Sequence, residues 1–173
     1  MEPQEETSNV STRDAGIRYG LYSAGIAIVL FLVPALIGQN PFQGVWNWIG
    51  VPVTIALFVF GHKYFKDEGD GFMSFGQGVG IGFWISLIGT VLGGGFVYIY
   101  ITFIDPAPFD LFLEETRYNM EEQGTPEEGI EMAMTWTKNL FWPIYALAGI
   151  VGGVVLAMIV TIFTQKKTAE QTY

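Results

Sequence analysis

A chain of 173 residues leaves room for one domain, and with half of them hydrophobic and a mean hydropathy of +0.37, a small apolar bundle fits better than two soluble units. The net charge of −9 disfavours nucleic acid or anionic lipid as a general partner, because both attract basic patches. Cysteine is absent, which excludes disulfides, thiolate metal sites, iron–sulfur clusters and palmitoyl anchors.

Charge-free runs set the architecture. Tyr19 to His62, Phe72 to Ile104 and Asn139 to Gln165 contain no Asp, Glu, Lys or Arg. A hydrocarbon core about 30 Å thick takes about 20 apolar helical residues per crossing, so the first run holds two spans and the others one each. The runs are continuous, whereas barrel strands alternate apolar and polar residues. The expected fold class is therefore all-α: a polytopic membrane protein of four transmembrane helices with a short acidic helical region between spans three and four.

In chain order, residues 1–14 form a polar cytoplasmic tail, acidic over Met1 to Glu6 and fraying to about Thr12. The transmembrane domain covers 15–167, with spans at about 17–38, 45–62, 75–104 and 140–163, an outer loop at 105–139, and a second tail at 168–173. The first apolar run exceeds a signal peptide's roughly 7 to 15 residues, so it is expected to stay in the mature chain. Gly38-Gln39-Asn40-Pro41 turns span one back into span two as an antiparallel hairpin. Trp46 and Trp48 then fall at an interfacial aromatic belt. Ser74-Phe75-Gly76-Gln77 has the form of a capping box and starts span three. At 1.5 Å per residue that span reaches about 45 Å, so it must tilt, kink or protrude. Asp105-Pro106-Ala107-Pro108 ends it.

In the outer loop, Phe109, Phe112, Leu113, Thr116 and Met120 recur at helical spacing, with Glu114, Glu115, Glu121 and Glu122 pointing elsewhere. Gly124 ends that amphipathic helix. Thr125-Pro126-Glu127-Glu128 starts a second one, with acids at its positive end, that leads into span four, where Pro143 is a candidate kink. Arg13, Arg18, Lys63, Lys66, Lys166 and Lys167 lie on one side of the membrane against Arg117 and Lys138 on the other. Six against two points both termini to the cytoplasm and the loop, with its nine acids, outward.

At Phe65-Lys66-Asp67, Gly71 and Ser74-Phe75-Gly76-Gln77, and again at Met120-Glu121-Glu122-Gln123-Gly124 and Pro126-Glu127-Glu128-Gly129-Ile130-Glu131, the chain resembles a bacterial family of small inner-membrane proteins known only as domain of unknown function number 4199. The likeness runs from about Ala15 to Lys167. It implies a four-span protein of the bacterial inner membrane and brings no activity, cofactor or catalytic residue.

Candidate sites are few. A charge inside a span marks ion pathways and proton relays because burying it costs at least about 2.5 to 3.5 kcal/mol, and no span has one at its middle. One histidine cannot supply a bis-histidine haem site or H-E-x-x-H, and no G-x-S-x-G is present. No enzyme, cofactor or metal is expected. His62 reads as an interfacial side chain at a helix end, and Asp67 to Gly71 as a solvated turn lacking a calcium loop's ligand pattern. Gly78, Gly82, Ser86, Gly89 and Gly93 step along span three as one stripe of small residues, suited to close helix packing within the chain, to a second copy or partner, or to a permeation path. Phe109, Phe112, Leu113 and Met120 offer a face to the membrane surface, to the second outer helix or to a partner. The expected function is a non-enzymatic structural or accessory subunit of a membrane assembly, with other membrane or periplasmic proteins, or a second copy, as partners within the lipid bilayer. The alternative is a small transporter or channel along the Gly-rich face of span three.

Overall fold

The computed structural model describes residues 10–166; the segments 1–9 and 167–173, which include Lys167 and most of the two expected tails, lie outside the described residues. The chain is 84% helical with no strand among the described residues, and four of its helices are long and apolar enough to cross a membrane. The protein is a multi-pass all-α membrane protein.

Helix α1 (Thr12–Leu36) begins earlier than the polar tail suggested, because Ser11 and Asp14 form a capping box. Each side chain takes a backbone N–H at the helix start, which satisfies two donors that a frayed tail would leave to water. Helix α2 (Gly44–Asp67) follows a turn in which Gly38 adopts a φ of +71°. The third span is α3 (Phe75–Ile88), a π-helical segment (Gly89–Gly94) and α4 (Gly95–Phe103). The capping box is present there too, with Ser74 N–H donating to Gln77 Oε1 at 2.7 Å and Gln77 N–H to Ser74 Oγ at 3.3 Å. Helix α5 (Ala107–Glu122) caps the bundle. Helix α6 (Glu127–Thr164) then runs 38 residues through Pro143 without interruption, about 57 Å at 1.5 Å per residue.

The third span is the most enclosed: 33% of its apolar window is buried within the molecule against 17% for the fourth. It stands between α1 and α6, and the other spans leave Val29, Val33, Leu147, Val151 and Val155 facing outward, as a lipid-bathed surface requires.

Two apolar clusters sit at opposite ends. Near the segments leading to the termini, hereafter the terminal end, Phe58, Met73, Ile81, Ile85 and Ala157 are fully buried together. At the loop end, Phe31, Val97 and Ile101 gather Phe42, Tyr100, Phe109 and Trp142. A two-residue bridge, Met73 N–H to Lys166 O at 2.9 Å and Lys166 N–H to Met73 O at 3.0 Å, fastens the end of α6 beside the start of α3.

Candidate functional site

The small residues of the third span form two rows instead of the single expected stripe. Gly78, Gly82 and Ser86 face α6. A Cβ on Gly78 would lie 2.5 Å from Thr161 Cγ2, one on Gly82 would overlap Ala157 Cβ, and Ser86, itself buried, meets Gly153. Thr90 continues this row against Gly149. Gly89 and Gly93 face α1 instead, 2.6 Å from Ser23 Oγ and 3.1 Å from Ala27 Cβ by the same measure. The π segment begins at Gly89, where the second row starts. With Gly16 against Trp84 and Gly20 against Ile88, both rows are filled by this chain's own helices.

His62 is not interfacial. It is fully buried, with Nε2 2.9 Å from the Gly78 carbonyl and Nδ1 2.7 Å from Thr164 Oγ1. A carbonyl only accepts, so Nε2 carries the proton, while Nδ1 faces the Thr164 hydroxyl, which also reaches the Val160 carbonyl at 3.0 Å. Lys66 adds a bond from Nζ to the Thr164 carbonyl at 2.8 Å. The imidazole thus ties α2 to both α3 and α6 at the terminal end. Close approach permitted by glycine and alanine is what brings a backbone carbonyl within its reach, a signal that a lone histidine beside Lys63 does not carry in sequence. Asp70, in the loop weighed for calcium, accepts the Phe72 N–H at 2.9 Å.

At the loop end, the face of α5 turns onto the chain itself. Phe109 and Phe112 meet Phe141 of α6 at ring-centroid distances of 4.9 and 5.3 Å, and both meet Phe42 of the α1–α2 turn. Leu113 is buried and Met120 half-buried. In the structure the aromatic part of this face packs on Phe141, at the start of the expected fourth span, and on the α1–α2 turn. Phe42 and Phe141 were not singled out as site residues. The signal was a phenylalanine directly after Pro41, apolar in a turn that should be polar.

Three of the four acids expected to point away from this face, Glu115, Glu121 and Glu122, are also engaged. Glu115 accepts from the buried Asn40 amide at 2.6 Å, and Gln43 donates to Thr116 at 3.3 Å, so the turn is stitched to α5 by polar as well as aromatic contacts. Glu122 accepts from the Tyr118 hydroxyl at 2.8 Å. Arg117 donates to Glu121 at 2.9 Å and also to Glu127 at the start of α6. The bonds to Glu121, then Glu127, hold its guanidinium above its ordinary pKa, so it stays charged throughout the accessible pH range. Asp110, Glu114, Glu128 and Glu131 remain exposed.

The arrangement is a braced cap on a four-helix bundle. Among the described residues no three His, Cys, Asp or Glu side chains converge as a metal site. The sequence profile of the family described as Protein of unknown function (DUF4199) matches residues 18–166. No curated protein and no solved structure matches the chain.

Proposed function

The chain belongs to the family of unknown function DUF4199, and we propose that it is a non-enzymatic accessory subunit of a membrane assembly in the bacterial cytoplasmic membrane. In this reading the four spans form a rigid post with both termini in the cytoplasm, and α5 with the first turns of α6 forms a platform outside it. The six-to-two distribution of Lys and Arg supports that orientation.

The observation that carries the reading is how the cap is mounted. Helix α6 crosses the bundle and continues into the platform without a joint, and Phe42, Phe109, Phe112 and Phe141 fix α5 against it. A platform held this stiffly transmits position, and its exposed Asp110, Glu114, Glu128 and Glu131 suit a partner with a basic face. Occupation of the third span's small-residue rows by α1 and α6 supports this reading over a permeation path along that face.

Purification in mild detergent tests it. A co-purifying membrane or periplasmic protein, lost on reversing the charge of Glu114, Glu128 and Glu131, is the expected result. Solute flux in liposomes containing this protein alone, without co-purifying partners, would overturn it. The absence of cysteine allows the orientation to be read separately: in spheroplasts an impermeant thiol reagent should label Gln123→Cys and spare Asp70→Cys.

A further inference from the structure

Helices α2 and α6 run in the same direction. The start of each meets α5 or the turn bonded to it, and their far ends meet at His62 and Thr164. Joined there, they part toward the loop end, and a cleft of about 580 Å³ opens between Gly50 and Thr54 of α2 and Ala148, Gly152 and Ile159 of α6. Thr54 spends its hydroxyl on the Gly50 carbonyl at 2.8 Å, so it brings no free donor to this apolar space. Gly50 also lines a second cavity, of about 160 Å³, walled by Phe31, Trp46 and Tyr145. Trp46 in turn lines a third, of about 390 Å³, where Gln39, Asn40, Gln43 and Glu115 converge. Neighbouring spaces share one lining residue each, Gly50 and then Trp46, and they step from an apolar cleft in the span region to a hydrogen-bonding pocket at the loop end.

We propose that this series is a binding site for one membrane lipid with an uncharged, hydroxyl-bearing head, a diacylglycerol or glycolipid. A chain of the lipid occupies the cleft beside Gly50 and Gly152, and its head lies against Gln39, Gln43 and Glu115. A partner helix does not fit the whole series, because a helix with side chains is about 10 to 12 Å across and the middle cavity holds only about 160 Å³. Charge selects the head. No Lys or Arg lines any of the three spaces, and Glu115 stands at the polar end, so an anionic phosphate meets no cation and one carboxylate. Glu115 already accepts from Asn40 and Gln39 from Trp46, so a hydroxyl proton is taken by the second carboxylate oxygen of Glu115 or a remaining amide lone pair.

The test uses the full-length protein in phosphatidylcholine nanodiscs doped with a monohexosyl diacylglycerol that carries a photoreactive group in one chain. Adducts should concentrate on residues 50–54 and 148–156. Gly50→Leu and Gly152→Leu should reduce them about tenfold, equivalent to about 1.4 kcal/mol of binding. At neither glycine would a Cβ meet anything within 4 Å, and the same holds for Gly25 on α1, so Gly25→Leu is the matched control and should leave labelling unchanged. Unlabelled glycolipid should compete on the unsubstituted protein and phosphatidylglycerol should not, a readout independent of any variant. Adducts spread evenly over the outward surface, equal competition by phosphatidylglycerol, or a cleft covered by a second copy whose dimer Gly152→Leu dissolves would each overturn the proposal.

Discussion

At the terminal end, α2, α3 and α6 touch through glycine, alanine, serine and threonine, near enough for a buried imidazole to bond two other helices at once. At the loop end the α1–α2 turn, α5 and α6 meet through rings instead: Phe42, Phe109, Phe112, Phe141, Trp142 and Tyr145 fill the space, with centroids about 5 to 6 Å apart. Where helices meet, small side chains give contact between backbones and bring polar groups into bonding range; where glycines face no neighbour, as Gly50 and Gly152 do, they leave the cleft between α2 and α6. Large rings fill wider gaps but pack at fixed angles, and they leave cavities between them.

The comparison breaks most visibly at Gly82. Leucine there must displace Ala157, whose Cβ occupies the place the new side chain would take, and overpacking of this kind costs about 1 to 3 kcal/mol, with backbone contact putting it at the upper end. Gly25→Leu, which meets nothing within 4 Å, should stay within about 0.5 kcal/mol of the parent. Unfolding in detergent measures both. Equal midpoints for the two variants would mean that the tight end of the bundle is not what holds it.

Truncating Phe141 probes the other regime and should cost less. Its ring touches Phe42, Phe109, Phe112, Trp142 and Tyr145, but it is only half-buried, so Phe141→Ala should cost about 2 kcal/mol, below the roughly 3 to 5 of a fully buried ring. The loss should be local. Limited proteolysis between Asp105 and Thr125 should accelerate while the spans remain inserted. Proteolysis unchanged from the parent would show that the aromatic cluster does not fix α5 to α6.

Spans, turns and outer helices were legible in the sequence because each depends on a local pattern. Runs without charge set the spans, Ser74 and Gln77 set a cap, and Gly38 and Gly124 supply left-handed turns at φ +71° and +73°. The division of the small residues into two rows was not legible, because all five fall on one face of a helical wheel and the placement of α1 and α6 decides which helix each of them meets. Nor was the role of His62. Its two partners lie 16 and 102 residues away, and nothing adjacent to it distinguishes a buried ring from an interfacial one. The contact of Asn40 with Glu115, 75 residues apart, was hidden for the same reason, by an acid that reads on a helical wheel as solvent-facing.

The smallest effect belongs to Arg117, and its smallness is what makes it informative. Arg117 bridges α5 to the start of α6 through Glu127 and bonds Glu121 on its own helix, yet its side chain is 44% exposed and those of its partners are 49% and 61% exposed. Water and salt screen such pairs, which are worth about 0 to 1 kcal/mol. Arg117→Gln removes the charge while keeping most of the side chain's length, so the cap should loosen by under about 1 kcal/mol, and hydrogen exchange in α5 should change less than for Phe141→Ala. Added salt should narrow the difference between Arg117→Gln and the parent and leave the Phe141→Ala difference unchanged. If instead Arg117→Gln frees α5 as fully as loss of the ring does, the cap is held by its ion pairs, and the contrast between a close-packed end and an aromatic one no longer accounts for how this platform stands on its bundle.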